Sequence, residues 1–140
     1  MREILFRGKR LDNGEWIQGY LFCIWGKAYI CWGTINDVPD MKEVDPETVC
    51  QYIGLTDKYG RKIFEGDVIR YTNEITGLEE VVEIKYNEFY ASFCRILKSE
   101  MGLQYLSIGK GIASSCEVIG NIFDNPELLD GSDVTENSTS

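Results

Sequence analysis

Histidine is absent from this 140-residue chain. That removes the serine and cysteine triads that depend on imidazole, histidine-ligated zinc and imidazole pH switching. Long hydrophobic runs are missing as well. No apolar stretch approaches the ~20 residues that a membrane-spanning helix needs. The opening Met1-Arg2-Glu3-Ile4-Leu5-Phe6-Arg7 is interrupted by charge before a signal-peptide core can form. The cysteines, Cys23, Cys31, Cys50, Cys94 and Cys116, are odd in number and nowhere spaced C-x-x-C. They read as reduced, mostly buried thiols and not as a disulfide frame or zinc site. These absences predict a cytoplasmic protein with no membrane segment, no metal and no cofactor.

Positive charge is also in short supply. Lys and Arg total 14 against 23 Asp and Glu, for a net charge of −9. About half of that excess sits in Asp124, Glu127, Asp130, Asp133 and Glu136, a stretch without a basic residue. Arg2, Arg7, Lys9 and Arg10 cluster at the other end. An acidic body disfavours nonspecific binding to duplex DNA, which is driven by phosphate neutralisation; a local basic patch remains open. The length suits one domain, and 3 Trp, 8 Tyr and 6 Phe can supply its core.

Fourteen glycines and short, alternating apolar segments point to strands and tight turns. Asp12-Asn13-Gly14 separates strand candidates 6–11 and 15–24, and Asn-Gly supplies the positive φ of a hairpin turn. Trp25-Gly26-Lys27 turns the chain into a strand at 28–32. Residues 36–47 are polar, carry Pro39 and Pro46, and read as a loop. Asp45-Pro46 has the form of an N-cap and first-turn proline, opening one helical turn through Cys50. Further strands are expected at 51–55, 68–71, 80–86 and 116–123, the last followed by a helical turn at Asn125-Pro126-Glu127-Leu128-Leu129. On the 80–86 strand Val82, Ile84 and Tyr86 share one face; Phe89, Ala91, Phe93 and Leu97 form one face of the next, and Leu106 and Ile108 follow the Gly102 turn.

The fold class expected is therefore mainly β: a small antiparallel SH3-like barrel at 56–129, entered through the Glu65-Gly66-Asp67 turn, and an N-terminal β-hairpin lobe at 1–55, with short helical turns. Residues 130–140 are too polar to bury themselves and are expected to be a disordered acidic tail.

Three segments carry a family resemblance. They are Val44-Asp45-Pro46-Glu47-Thr48-Val49-Cys50-Gln51-Tyr52-Ile53-Gly54-Leu55, then Asp57-Lys58-Tyr59-Gly60-Arg61-Lys62-Ile63-Phe64-Glu65-Gly66-Asp67-Val68-Ile69, and Val118-Ile119-Gly120-Asn121-Ile122-Phe123-Asp124-Asn125-Pro126-Glu127-Leu128-Leu129. With Phe6-Arg7-Gly8-Lys9-Arg10, Trp16 and Gly19, this ordered set resembles the YopX family of bacteriophage and prophage proteins over residues 1–129. Cys50 and Ile53 depart from the glycine and threonine common in that pattern. The resemblance implies a small β-rich protein carried on phage or prophage genomes, and no particular reaction.

Each candidate for chemistry has a plainer reading beside it. Asp37, Asp40, Glu43, Asp45 and Glu47 are oxygen donors of the kind calcium takes, but their spacing is not that of an EF-hand, and a solvated loop is favoured. Gly109-Lys110-Gly111 lacks the Ser or Thr of a phosphate loop, so a hairpin turn is favoured. Glu65 and Asp67 can act as an acid–base pair only if buried together; a turn role is preferred. Cys31 and Cys50 have no histidine to activate them. The aromatic group Trp16, Tyr20, Trp25, Tyr29 and Trp32, near Arg7, Lys9, Arg10 and Lys27, can stack single-stranded bases, but core or interface is the preferred reading.

No catalytic residue is assigned. The function expected is a non-enzymatic, phage- or prophage-encoded accessory protein that binds an unknown host or phage protein and self-associates. Arg7, Lys9, Arg10, Trp16, Tyr20, Trp25 and Lys27 form its candidate interaction surface. The alternatives are a nucleic-acid-associated module using that basic and aromatic face and, less favoured, a carboxylate-dependent hydrolase.

Overall fold

The computed structural model describes residues 3–35 and 38–129, with 33–35, 38, 39 and 99 described by backbone alone. The tail at 130–140, Arg2 and Asp37 lie outside the described residues. The chain divides into two compact units, Met1–Gly54 and Leu55–Ser140.

The first unit is built from β1 (Phe6–Lys9), β2 (Trp16–Ile24), β3 (Lys27–Ile35), β4 (Val38–Val44) and β5 (Cys50–Thr56). Their order in the sheet is β4-β3-β2-β1-β5; β6 (Lys62–Phe64) follows in the order beyond β5, whose last two residues already belong to the second unit. The turns follow from local chemistry. The Asn13 side chain accepts from the Glu15 amide at 2.9 Å before β2 begins. Trp25 and Gly26 both take positive φ, 49° and 77°, which the two-residue turn between β2 and β3 requires. Ala28, Ile30 and Val44 are the buried centre, and Phe6, Ile17, Leu21 and Val49 pack against them.

One sequence expectation fails in this unit. Residues 38–44 are a strand, not part of a loop: β4 pairs with β3 from Ala28↔Val44 to Ile35↔Val38. Proline content misleads here because β4 is the outermost strand of the sheet order, where a residue without an N–H is tolerated. Of the core-or-interface reading of the aromatics, the core half does not hold for Trp25 and Trp32. Small and aliphatic residues fill the core, and Trp25 and Trp32 are exposed. The cap at Asp45 forms as expected: its carboxylate accepts from the Glu47 amide at 3.0 Å and Pro46 opens a single 3-10 turn, Pro46–Thr48.

The second unit contains β7 (Asp67–Thr72), β8 (Glu79–Asn87), β9 (Ser92–Ser99), β10 (Gly102–Ser107), α1 (Lys110–Ser115) and β11 (Glu117–Asn121). All sheet neighbours are antiparallel, in the order β10-β9-β8-β7-β11. β10 and β11 lie at opposite edges, and no closed barrel is found among the described residues. Ile63, Phe64, Val68, Ile69, Val82, Ile84 and Cys116 are almost completely buried.

The turn before β7 is as the sequence suggests. Gly66 has φ 87° and its amide donates to the Ile84 carbonyl at 2.7 Å. The buried Asp67 carboxylate accepts from the Phe64 amide at 2.8 Å. Elsewhere the boundaries shift. β9 starts at Ser92, so Phe93 and Leu97 are on the strand, whereas Phe89 and Ala91 sit in the turn before it. Gly109-Lys110-Gly111 is no hairpin turn; it opens α1, with Gly109 as the N-cap residue. β11 ends at Asn121 because that side chain accepts from the Phe123 and Asp124 amides, both at 2.9 Å, and bends the chain toward a helical turn at 127–129. Among the described residues no helix is long and apolar enough to cross a membrane.

Candidate functional site

Strand register assembles one face of the first unit. Lys9 lies opposite Trp16, Arg7 opposite Gln18, Tyr20 opposite Cys31 and Phe22 opposite Tyr29. Directly paired residues share a face, and alternate residues along a strand do so too. Arg7, Lys9, Trp16, Tyr20, Phe22 and Tyr29 therefore line one face, and Ile17, Leu21, Ala28 and Ile30 line the other, toward the core. Trp16 is not an open platform. The Arg7 guanidinium stands 4.7 Å from its ring centroid and the Lys9 ammonium 5.4 Å, a cation–π arrangement within the chain itself. Tyr20, Phe22 and Trp25 are exposed, at 63%, 47% and 92%. Phe22 and Tyr29 approach each other with ring centroids 6.3 Å apart.

Not every predicted member joins that surface in the same way. Arg10 turns to its own hairpin: Nε and Nη2 donate to the two Asp12 oxygens at 2.8 and 2.6 Å. This pairing raises the guanidinium pKa and lowers that of the Asp12 carboxyl. Trp25 is in the turn, and Lys27 begins β3 beside it, opposite Ile24.

The other chemical candidates stay apart. Asp40 and Glu43 are on β4, Asp45 caps the 3-10 turn and Glu47 is inside it. Among the described residues no group of three or more Cys, Asp or Glu side chains is gathered to hold a metal ion. Glu65 accepts from the Tyr86 amide at 3.2 Å while Asp67 faces Phe64. All five cysteines are free thiols, with Cys50, Cys94 and Cys116 buried and Cys23 exposed. Burial first, and then the nearby Asp57 charge, push the Cys116 thiol up to about 11.

The second unit holds a cluster that the sequence did not bring to notice. Tyr71 on β7 donates its hydroxyl to Glu80 Oε1 at 2.6 Å, and Asn73 Nδ2 donates to Glu80 Oε2 at 3.1 Å. Arg95 on β9 donates through Nη1 to the Tyr71 hydroxyl at 2.8 Å and through Nε to the Ser107 carbonyl at 2.8 Å. Its guanidinium also lies 5.4 Å from the Tyr71 ring centroid. Burial and the bond to Glu80 push the Tyr71 hydroxyl up to about 12, so it stays protonated and donating. Beside this cluster is a cavity of about 440 Å³, lined by residues of β7, the β7–β8 turn, β9 and α1. Arg95 is 24 residues from Tyr71, and only the pairing of β7, β8 and β9 brings them together.

The comparisons with known proteins agree with this architecture. The family model described as YopX protein matches residues 5–130. No curated protein matches the chain. Among solved structures, the chain resembles the crystal structure of protein EF1440 from Enterococcus faecalis, with a TM-score of 0.56 and 21% identity. That likeness covers 92% of this chain and 99% of the other, and it is a likeness of fold.

Proposed function

The chain belongs to the YopX family, which is associated with bacteriophages and prophages, and on that premise we propose that it is a phage- or prophage-encoded accessory protein that acts by binding another protein. The observation that carries this reading is the exposed aromatic face of the first unit. Tyr20 and Phe22 project from the sheet side opposite the aliphatic core, and Trp25 stands at the adjoining turn. Aromatic residues are enriched in protein–protein interfaces and rarely left uncovered in a group without a use. A second copy of the chain is the first partner proposed, with a host or phage protein as its competitor for the same face. The proposed place of action is the cytoplasm of a bacterial host.

The strand order of the second unit supports an SH3-like arrangement, in which the last strand returns beside the first after a short helix. Such sheets are reused for recognition across unrelated proteins.

The nucleic-acid reading has one observation in its favour, the placement of Arg7 and Lys9 on the aromatic face. It is the weaker reading because both cations already stand over Trp16. The discriminating experiment compares capture of bacterial lysate proteins by the wild type and by the Tyr20→Ser, Trp25→Ser double variant, alongside oligonucleotide binding at several salt concentrations. Protein capture that the double variant loses is the expected result. Tight oligonucleotide binding that falls steeply with salt would replace it with the nucleic-acid reading.

A further inference from the structure

We propose that the cavity beside Tyr71 and Arg95 binds a monocarboxylate that carries an apolar body. The site lies wholly within the second unit and is independent of the aromatic face. Its volume, about 440 Å³, falls within the range of small-molecule sites.

Arg95 supplies the cationic group of the cavity lining. Arg95 uses Nε on the Ser107 carbonyl and Nη1 on the Tyr71 hydroxyl. Among the described residues Nη2 makes no hydrogen bond, and no carboxylate stands within ion-pair distance of the guanidinium. Glu80, the acid of the same cluster, is instead held by Tyr71 and Asn73. A guanidinium fixed in this way is a pre-organised donor for a planar carboxylate.

The lining also has an apolar part. Ile112 from α1 and Ile75 from the β7–β8 turn line the cavity, and Ile75 is 95% exposed, an aliphatic side chain with almost no cover from this chain. A ligand with a hydrocarbon portion would remove that surface from water. Glu74 also lines the cavity. With Glu80 behind Tyr71, it makes a phosphate dianion a poorer match than a singly charged carboxylate.

The test is titration of the full chain, isotope-labelled at isoleucine methyl groups, with phenylbutyrate, phenylbutanol, phenylbutylamine and phenyl phosphate. Phenylbutyrate is expected to shift the Ile75 and Ile112 methyl signals saturably, with a dissociation constant of about a millimolar. The alcohol and amine should bind at least about tenfold more weakly, the loss expected when the charge-assisted contact goes. Arg95→Gln should abolish binding. Because Arg95 also bonds Tyr71 and Ser107, a second variant guards against misfolding: Ser115→Phe. Ser115 is exposed, its hydroxyl bonds the Ile112 carbonyl within α1, and it lines the cavity without entering the Tyr71–Glu80–Arg95 cluster. This variant should block binding while the signal of the fully buried Ile84 stays in place. Equal binding of the alcohol or amine, tighter binding of phenyl phosphate, unmoved Ile75 and Ile112 signals, or undiminished binding by Ser115→Phe would each overturn the proposal. Acetyl-Gly-Gly-Phe with a free terminus and its amide distinguish the source. Binding of the free form alone points to a peptide end, and binding of neither, with phenylbutyrate bound, points to a small organic acid.

Discussion

The Asp57 carboxylate accepts a hydrogen bond from the Val118 amide at 3.1 Å, across 61 residues of sequence. The same buried side chain accepts from the Tyr59 and Arg61 amides at 2.9 Å and from Arg61 Nε at 3.1 Å. One carboxylate thus ties the turn before β6 to β11.

Replacing Asp57 should therefore be among the costliest changes in the second unit. Asp57→Ala strands three backbone donors and is expected to cost about 3 kcal/mol. The pH dependence has a definite sign. Burial alone would raise the carboxyl pKa, but the amides of Val118, Arg61 and Tyr59 and the Arg61 charge together outweigh it and lower the value. A lowered folded-state pKa gives stability that is complete above the ordinary aspartate range, near about pH 4, and is lost as pH falls below it. In urea melts, the margin of wild type over Asp57→Asn should be clear at neutral pH and shrink at about pH 3. An unchanged margin would mean the carboxylate is not held as the geometry implies.

Gly66 offers a backbone test. Its φ of 87° lies where a side chain is strained, and its amide and carbonyl are both used, by Ile84 and Ile122. Gly66→Val should cost roughly 1–3 kcal/mol. Gly109→Ala is the control. An added Cβ there meets nothing within 4 Å, and the change should stay within about 0.5 kcal/mol. Equal effects at the two sites would show that conformation is not what glycine supplies at position 66.

Thiol chemistry should follow burial. Cys23 is exposed, whereas Cys116 is buried and its thiol is pushed up to about 11. At about pH 8 only on the order of one Cys116 in a thousand would be thiolate, the reactive form. Native labelling with iodoacetamide, read by peptide mass spectrometry, should modify Cys23 first and Cys116 slowly, and all five only after denaturation. Rapid native labelling of Cys116 would place it in a part of the fold that opens readily.

What was legible in the sequence was local. Asn13-Gly14 and Trp25-Gly26 announce their turns because glycine accepts without strain the positive φ that Gly14 and Gly26 adopt. Asp45-Pro46 announces its cap for the same kind of reason. What was hidden depends on register. β4 carries Pro39 and several charges, and becomes a strand because β3 is there to pair with it. α1 is six residues long with one glycine and two serines, too short and too weak in propensity to stand out. The Tyr71–Arg95 pair required two strand registers to be known at once. The aromatic face shows a subtler limit. Alternation along β2 sets Trp16, Tyr20 and Phe22 apart from Ile17 and Leu21, but does not say which side is inside. Gly19 helps decide: a side chain there would collide with the Cys31 carbonyl and touch Ile30, so the side it shares with Ile17 and Leu21 is the packed one.

That assignment sharpens the expectation of self-association. The packed side is closed by Ala28, Ile30 and Val44, leaving Tyr20 and Phe22 outward and Trp25 at the turn. Twofold homodimers are the commonest assemblies, and a twofold contact would place this same aromatic strip against its own copy. Sedimentation of the purified 16.0 kDa chain at micromolar concentration should show a species near twice that mass. The Tyr20→Ser, Phe22→Ser double variant should shift it to monomer without altering the melting temperature at low concentration, because neither side chain contributes to the buried centre. Wild type that sediments as a single monomer would reject the dimer and leave the strip to a different protein. A double variant that stays dimeric would move the interface to some other surface.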